Sequence, residues 1–202
     1  MTALFDRLSH LFERGHREPL DDLITDARFA QSERSAAAAV LIAVTDRPEP
    51  GLILTQRPQG MRDHPGQVAL PGGKVDPGED AIAAALREAD EELALSPQQV
   101  RIIGTTDRYQ TGTGFDVTPV LGVIPPDLDL SPNPTEVEAW FEVPLSLVME
   151  RSNWTENEVY WRGEMRHYLE MDYQGFRIWG VTAAILANLS RRLDHKELIN
   201  GR

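Results

Sequence analysis

The stretch Gly72-Gly73-Lys74-Val75-Asp76-Pro77-Gly78-Glu79-Asp80, followed by Ala81-Ile82-Ala83-Ala84-Ala85-Leu86-Arg87-Glu88-Ala89-Asp90-Glu91-Glu92-Leu93, constrains the chain more than any other. From Ala81 onward the residues are strong helix formers. Asp80 is placed to cap the first turn and Pro97 lies beyond the far end, so a glycine-rich loop should lead into a helix over Ala81 to Leu93. A rival start has Asp76 as the cap and Pro77 at the first helical position, weakened by Gly78 in the first turn. At about 100° per residue, Ile82, Leu86, Ala89 and Leu93 form one narrow apolar stripe. Glu88, Glu91 and Glu92 fill an arc of about 100° on the other side, and Asp90 points elsewhere.

Three carboxylates at i, i+3 and i+4 repel one another, by a few tenths of a kcal/mol for each close pair on an isolated helix. A bound divalent cation reverses that penalty. Hard ions such as Mg²⁺ or Mn²⁺ take oxygen ligands and combine a few carboxylates with substrate phosphates and waters. Taken alone, Arg87-Glu88 and Glu91-Glu92 read as the decoration of a solvated helix face, and it is the wider spacing that favours a metal site.

The rest of the chain supplies one substantial core. Its 202 residues are 41% hydrophobic and 26% charged, enough for one domain with an extra helix or hairpin. Leu4, Phe5, Leu8, Leu11 and Phe12 recur at helical spacing up to Gly15, an amphipathic helix expected to pack on its own core, with a homodimer contact as the other use. Ala38 to Thr45 and Gly51 to Thr55 read as strands joined by a loop, Ile102 to Thr106 and Val117 to Ile124 as further strands. A proline-rich stretch from Pro125 to Pro134 is an irregular loop of the kind that often carries function, after which Trp140 to Val143 resumes a strand. Tyr168 to Asp172 and Phe176 to Trp179 suggest a hairpin across Tyr173-Gln174-Gly175, and Val181 to Leu193 a closing helix with Arg191 and Arg192 in its last turn.

Composition excludes several functions. The chain has no cysteine, so it cannot by itself use disulfides, thiolate zinc sites or a cysteine nucleophile. A net charge of −12 argues against general nucleic-acid binding. The apolar run from Ala36 to Val44 is too short to span a bilayer and no signal-peptide pattern opens the chain, so no membrane partner and a cytoplasmic location are expected. A phosphate-bearing substrate must have its charge met locally, and bound divalent cations are one way to do so.

Gly73, Glu79, Arg87, Glu88, Glu91 and Glu92 fit the Nudix signature, Gly-x5-Glu-x7-Arg-Glu-U-x-Glu-Glu-x-Gly-U with U aliphatic. Six fixed residues coincide by chance roughly once in 10⁷ placements. The match departs at Ala94, where the family usually has Gly, and at Ala89, small for an aliphatic position; neither supplies a ligand. The resemblance implies the Nudix fold, α/β (α+β) with a mixed β-sheet sandwiched between helices, and a diphosphatase that needs Mg²⁺ or Mn²⁺. By position Glu88 and Glu92 should be the principal metal ligands, Glu91 an additional ligand or water-orienting carboxylate, and Arg87 should pair with Glu79 to fix the loop against the helix. The implied layout is a helical extension over 1–34, the hydrolase domain over 35–195 and a tail over 196–202.

Upstream, Ile53 to Gly73 resembles the extra motif of the Nudix coenzyme A diphosphatases, Leu-Leu-Thr-x-Arg-Ser/Ala-x3-Arg-x3-Gly-x3-Phe-Pro-Gly-Gly. Thr55, Arg57, Arg62, Gly66, Pro71, Gly72 and Gly73 match in register, whereas Ile53, Pro58 and Leu70 depart. Tyr109 to Phe115 and Asn133-Pro134-Thr135-Glu136-Val137 are also similar to that subfamily. Arg57, Arg62, Gly66, Gly72 and Gly73 are therefore the expected substrate-binding residues, and coenzyme A or a derivative the expected substrate. A guanidinium fork suits the 3′-phosphate or the diphosphate, although either arginine could instead pair with Asp63 or Asp76. His64 is expected to stabilise its loop. Glu136 and Glu138 are candidates for a distal carboxylate that binds another ion or accepts a proton from water. Two other functions remain open: a diphosphatase for nucleoside triphosphates or ADP-ribose, and a non-catalytic nucleotide-binding regulatory module.

Overall fold

A computed structural model describes residues 3–21, 23–26, 35–161, 163–194 and 197–198 of the chain. Its organising element is β1 (Ala36–Thr45), a run of alanine and β-branched or aliphatic residues that is buried along most of its length. Such a run has no polar face and must be covered on both sides. The remaining strands are β2 (Gly51–Gln56), β3 (Val68–Ala69), β4 (Gly72–Lys74), β5 (Arg101–Thr105), β6 (Tyr109–Gln110), β7 (Phe115–Ile124), β8 (Ala139–Pro144), β9 (Thr155–Trp161), β10 (Glu164–Tyr173) and β11 (Phe176–Trp179). The helices are α1 (Ala3–Gly15), α2 (Ala81–Leu93), α3 (Leu145–Met149) and α4 (Gly180–Arg192).

β1 pairs in parallel with β7 from Ala36 opposite Phe115 to Thr45 opposite Ile124, and antiparallel with β2 and β4. The main sheet runs β3-β2-β1-β7-β5, with β4 on β1, β6 on β7 and β8 on β2. It is mixed, because the chain crosses over between β1 and β7. On one face α2 lays Ala84, Ala85, Ala89 and Leu93 on Ala39, Leu41, Ala43 and Ile53. On the other, α1 and α4 join a larger core, with Leu4, Leu8 and Leu11 beside Ile42, Leu54, Leu121, Leu186 and Leu189. The sheet is thus sandwiched between helices. The apolar stripe of α1 is spent inside its own chain, and Arg192 of α4 donates to the Gly15 and Glu18 carbonyls at the end of α1.

β9, β10 and β11 form a second, three-stranded sheet whose Leu169, Met171 and Ile178 complete the larger core. The hairpin strands reach Tyr173 and Phe176, leaving a two-residue turn at Gln174-Gly175 with φ of 53° and 86°. That is tighter than the three-residue turn expected from sequence, and it suits the twist of two antiparallel strands. β9 was not visible in the sequence, because Thr-Glu-Asn-Glu-Val-Tyr-Trp lacks clean alternation and residues 155–160 are exposed but for half-buried Asn157. The expected tail over 196–202 lies outside the described residues except for 197–198.

Candidate active site

α2 starts where the sequence places it: Asp80 is the cap and its carboxylate accepts from the Ala83 N–H at 2.8 Å. The rival start at Asp76 is not used. Instead Asp76 and Glu79 close a turn, the Glu79 N–H donating to the Asp76 carbonyl and the Asp76 N–H to the Glu79 carboxylate.

The alanines of α2 decide how near the helix sits to β1. Side chains this small let the helix backbone approach the sheet, and the buried face shifts away from the Ile82–Leu86 stripe toward Ala84, Ala85, Ala89 and Glu92. One expectation is corrected here, because Glu92 does not stand on an open face. It is 5% exposed, pressed toward β4, where its Oε2 accepts from the Gly72 N–H at 3.3 Å. Gly72 has φ of 155°, and a Cβ there would overlap the Ala39 carbonyl; a Cβ on Gly73 would overlap the Glu88 carboxylate. Gly73 thus clears the space that Glu88 enters, and Gly72 allows β4 its close approach to β1.

A third carboxylate arrives from the loop before β8. One oxygen each from Glu88, Glu92 and Glu136 lie within 4.8 Å of one another, the one such group of three or more acidic or histidine side chains among the described residues. Glu91 is not part of it: its side chain is 53% exposed and accepts from Arg87 Nη1 at 3.1 Å. Arg87 holds the loop to the helix, gripping both Glu79 oxygens at 3.1 Å through Nε and Nη2, the Lys74 carbonyl at 2.9 Å, and Glu88 Oε1 at 3.0 Å.

The electrostatics show what the cluster lacks. Hydrogen bonds from Arg87 and the Asp76 N–H hold the Glu79 carboxyl below its ordinary range. Burial pushes Glu88 up, with Arg87 opposing. Burial pushes Glu92 up to about 8, against the Gly72 N–H and with added repulsion from Glu88 and Glu136. A half-buried set of hard oxygen donors with too little positive charge nearby fits a divalent cation. The residues present therefore fit the ion that the signature implies.

Arg57 leaves the end of β2, its N–H bonded to the Gln67 carbonyl at 3.0 Å. Its charge is felt at Glu92, and its Nε is buried without a hydrogen-bond partner. Arg62 is exposed. Neither forms an ion pair with Asp63 or Asp76 among the described residues. Gly66 has φ of 66°, with the Gln59 side chain where a Cβ would lie, which gives it a conformational reason to be glycine. His64 is exposed at φ of 55° and its carbonyl accepts from the Gln67 N–H. Glu138 turns away from the cluster to accept from the Gln59 N–H at 3.0 Å.

Sequence reasoning gave no role to Ser131 or Asn133, whose N–H groups bond the last carbonyls of α2, Leu93 and Glu92, at 2.9 Å each. A signal was present: Pro132 and Pro134 have no N–H, so these two residues hold the donors of that segment. Ala94 closes α2 in the left-handed conformation at φ of 55°, where the signature usually has glycine.

A model of the NUDIX domain matches residues 34–162. A protein of Escherichia coli strain K12 named as an uncharacterized Nudix hydrolase, NudL, is 44% identical over 160 residues, 79% of this chain and 83% of the relative. A protein of the same name from Salmonella paratyphi B is 46% identical over the same shares of both chains. Among solved structures, the Nudix hydrolase RenU of M. smegmatis superposes with a TM-score of 0.50 at 22% identity, covering 64% of this chain and 83% of that one, a likeness of fold alone.

Proposed function

We propose that this chain, which belongs to the Nudix family and is therefore a hydrolase of a diphosphate linkage, acts on coenzyme A and releases 3′,5′-ADP and 4′-phosphopantetheine. One observation carries the proposal: the Glu88, Glu92 and Glu136 oxygens lie within 4.8 Å of one another, while Arg57, from the upstream motif, acts on the same Glu92. Glu88, Glu92 and Glu136 are assigned to hold Mg²⁺ or Mn²⁺. When bound, such an ion neutralises phosphate oxygens and acidifies a water for in-line attack on phosphorus.

The chain's own groups do the rest. Arg87, locked by Glu79, keeps Glu88 turned toward the cluster. Glu91, outside the cluster and exposed to solvent, orients the attacking water and accepts its proton. Water oxygen bonds to one phosphorus as the bridging P–O bond breaks, and the leaving phosphate carries off the electron pair. Arg57 and Arg62 supply guanidinium forks for phosphate oxygens of the substrate. The buried Nε of Arg57, without a protein partner, supports that role. Residues 35–195 form the catalytic unit and the N-terminal segment is an extension of it. No described helix is long and apolar enough to cross a membrane.

Chromatography of products from coenzyme A, ADP-ribose and a nucleoside triphosphate, with Mg²⁺ or Mn²⁺, tests the proposal. Coenzyme A should be cleaved at its diphosphate with the highest kcat/KM. A much higher value for either other substrate overturns the substrate assignment, and metal-independent cleavage overturns the site.

A further inference from the structure

Glu136 lies far along the chain from Glu88 and Glu92, so something other than α2 must set its position. The last carbonyls of a helix have no partner within it. Those of Glu92 and Leu93 are taken by the proline-rich loop, through Asn133 N–H and Ser131 N–H. Asn133 then bonds in the opposite direction. Its carbonyl accepts the N–H groups of Glu136 at 3.0 Å and Val137 at 2.8 Å. Its side-chain Oδ1 accepts Thr135 N–H at 3.2 Å and Thr135 Oγ1 at 2.8 Å.

We infer that Asn133 is a positioning residue for Glu136, joining the main chain of one carboxylate donor, Glu92, to that of another. The inference rests on Glu88, Glu92 and Glu136 sharing one cation site. Pro134 favours an extended conformation at Asn133 and has no N–H, so Thr135 is the first donor after it that Oδ1 can fix. With Oδ1 engaged, the turn from Asn133 to Val137 is closed at both its main-chain and side-chain bonds. Downstream, buried Val137 and the Glu138 N–H on the Gln56 carbonyl hold the other end. Glu136 thus sits between two anchored points, and in the upstream one the only side-chain bonds are those that Asn133 Oδ1 accepts from Thr135.

The test is Mn²⁺ binding to the full chain, read as the dissociation constant of the metal alone by calorimetry or by the paramagnetic signal of free Mn²⁺. It compares wild type, Asn133→Ala, Glu136→Gln and the double variant. Asn133→Ala should weaken Mn²⁺ about tenfold, the usual scale for removing a group that orients a ligand. Glu136→Gln should weaken it at least as much, and the double variant no further than Glu136→Gln, because one residue acts through the other. Asn133→Asp, which keeps both acceptor bonds, should stay within about threefold of wild type by the same reasoning. If Asn133→Ala fails to fold, Thr135→Val, which removes only the hydroxyl donor, carries the same cycle with a loss of about threefold. Wild-type affinity in Asn133→Ala, with a loss in Glu136→Gln, overturns the positioning role and leaves the cation site standing. Additive losses in the double variant also overturn it. Wild-type affinity in Glu136→Gln removes the shared site and this inference together.

Discussion

Replacing Glu92 with glutamine should make the metal-free protein more stable at alkaline pH, by an amount the buried carboxyl sets. Glu92 is 5% exposed and its pKa is raised from 4.5 to about 8, chiefly by burial, with Glu88 and Glu136 adding repulsion. Below pH 4.5 folded and unfolded states both hold the proton and nothing is lost. Between that value and about 8 the unfolded chain has released its proton while the folded one retains it, so stability falls as pH rises. Above 8 the loss is complete. At about 1.4 kcal/mol per pH unit the separation caps the loss at about 5 kcal/mol, of which about 3 kcal/mol has accrued by pH 7. Water entry and side-chain adjustment reduce the effective penalty, so about 1–3 kcal/mol is expected between pH 6 and 8.5.

Glutamine keeps an oxygen for the Gly72 N–H and never ionises. Urea unfolding with a chelator at pH 6, 7 and 8.5 should show wild type losing stability more steeply than Glu92→Gln. Groups common to both proteins cancel in that difference. From pH 6 to 8.5 the variant's lead should grow by about 1–3 kcal/mol. Saturating Mg²⁺ should reverse the order, because an ion that binds only the folded wild type stabilises it. Parallel pH curves would refute the assignment of Glu92 as a buried, under-compensated carboxylate.

Three other outcomes follow from neighbouring residues. Gly73→Ala should push the Glu88 carboxylate aside and lower kcat at least tenfold with the fold retained, as activity assays beside circular dichroism will show. Ala94→Gly should stabilise the protein by about 0.5–1 kcal/mol in chemical denaturation without changing kcat, since it relieves a left-handed alanine at a cost in unfolded-chain entropy. Arg57→Ala should lower kcat/KM for coenzyme A by roughly ten- to a hundredfold, and by less for dephospho-coenzyme A if the lost contact is to the 3′-phosphate. Equal losses on both substrates would place Arg57 on the diphosphate, and no loss on either would return it to a structural role.

Short-range chemistry encodes part of this protein directly in its residues. Helix propensity and the Asp80 cap fixed the span of α2, and the spacing of Gly73, Glu79, Arg87, Glu88, Glu91 and Glu92 fixed which groups one loop and one helix can present. Apolar runs located β1, β2 and β7, because a strand buried on both faces needs no partner to announce itself, and short aliphatic or aromatic stretches located the half-buried β5 and β8. Which of those groups meet depends on packing between distant parts of the chain. A helical wheel assigns Glu92 to an acidic side, but alanine packing against β1 turns it inward, and that close approach depends on residues from another part of the chain. The same placement leaves Glu91 outside the cluster and brings Glu136 into it, through a loop whose two free donors happen to reach the carbonyl end of α2. β9 was invisible for a related reason: its pairing with β10 is written in main-chain hydrogen bonds, which every sequence can offer, and its largely exposed side chains need not be apolar on either face.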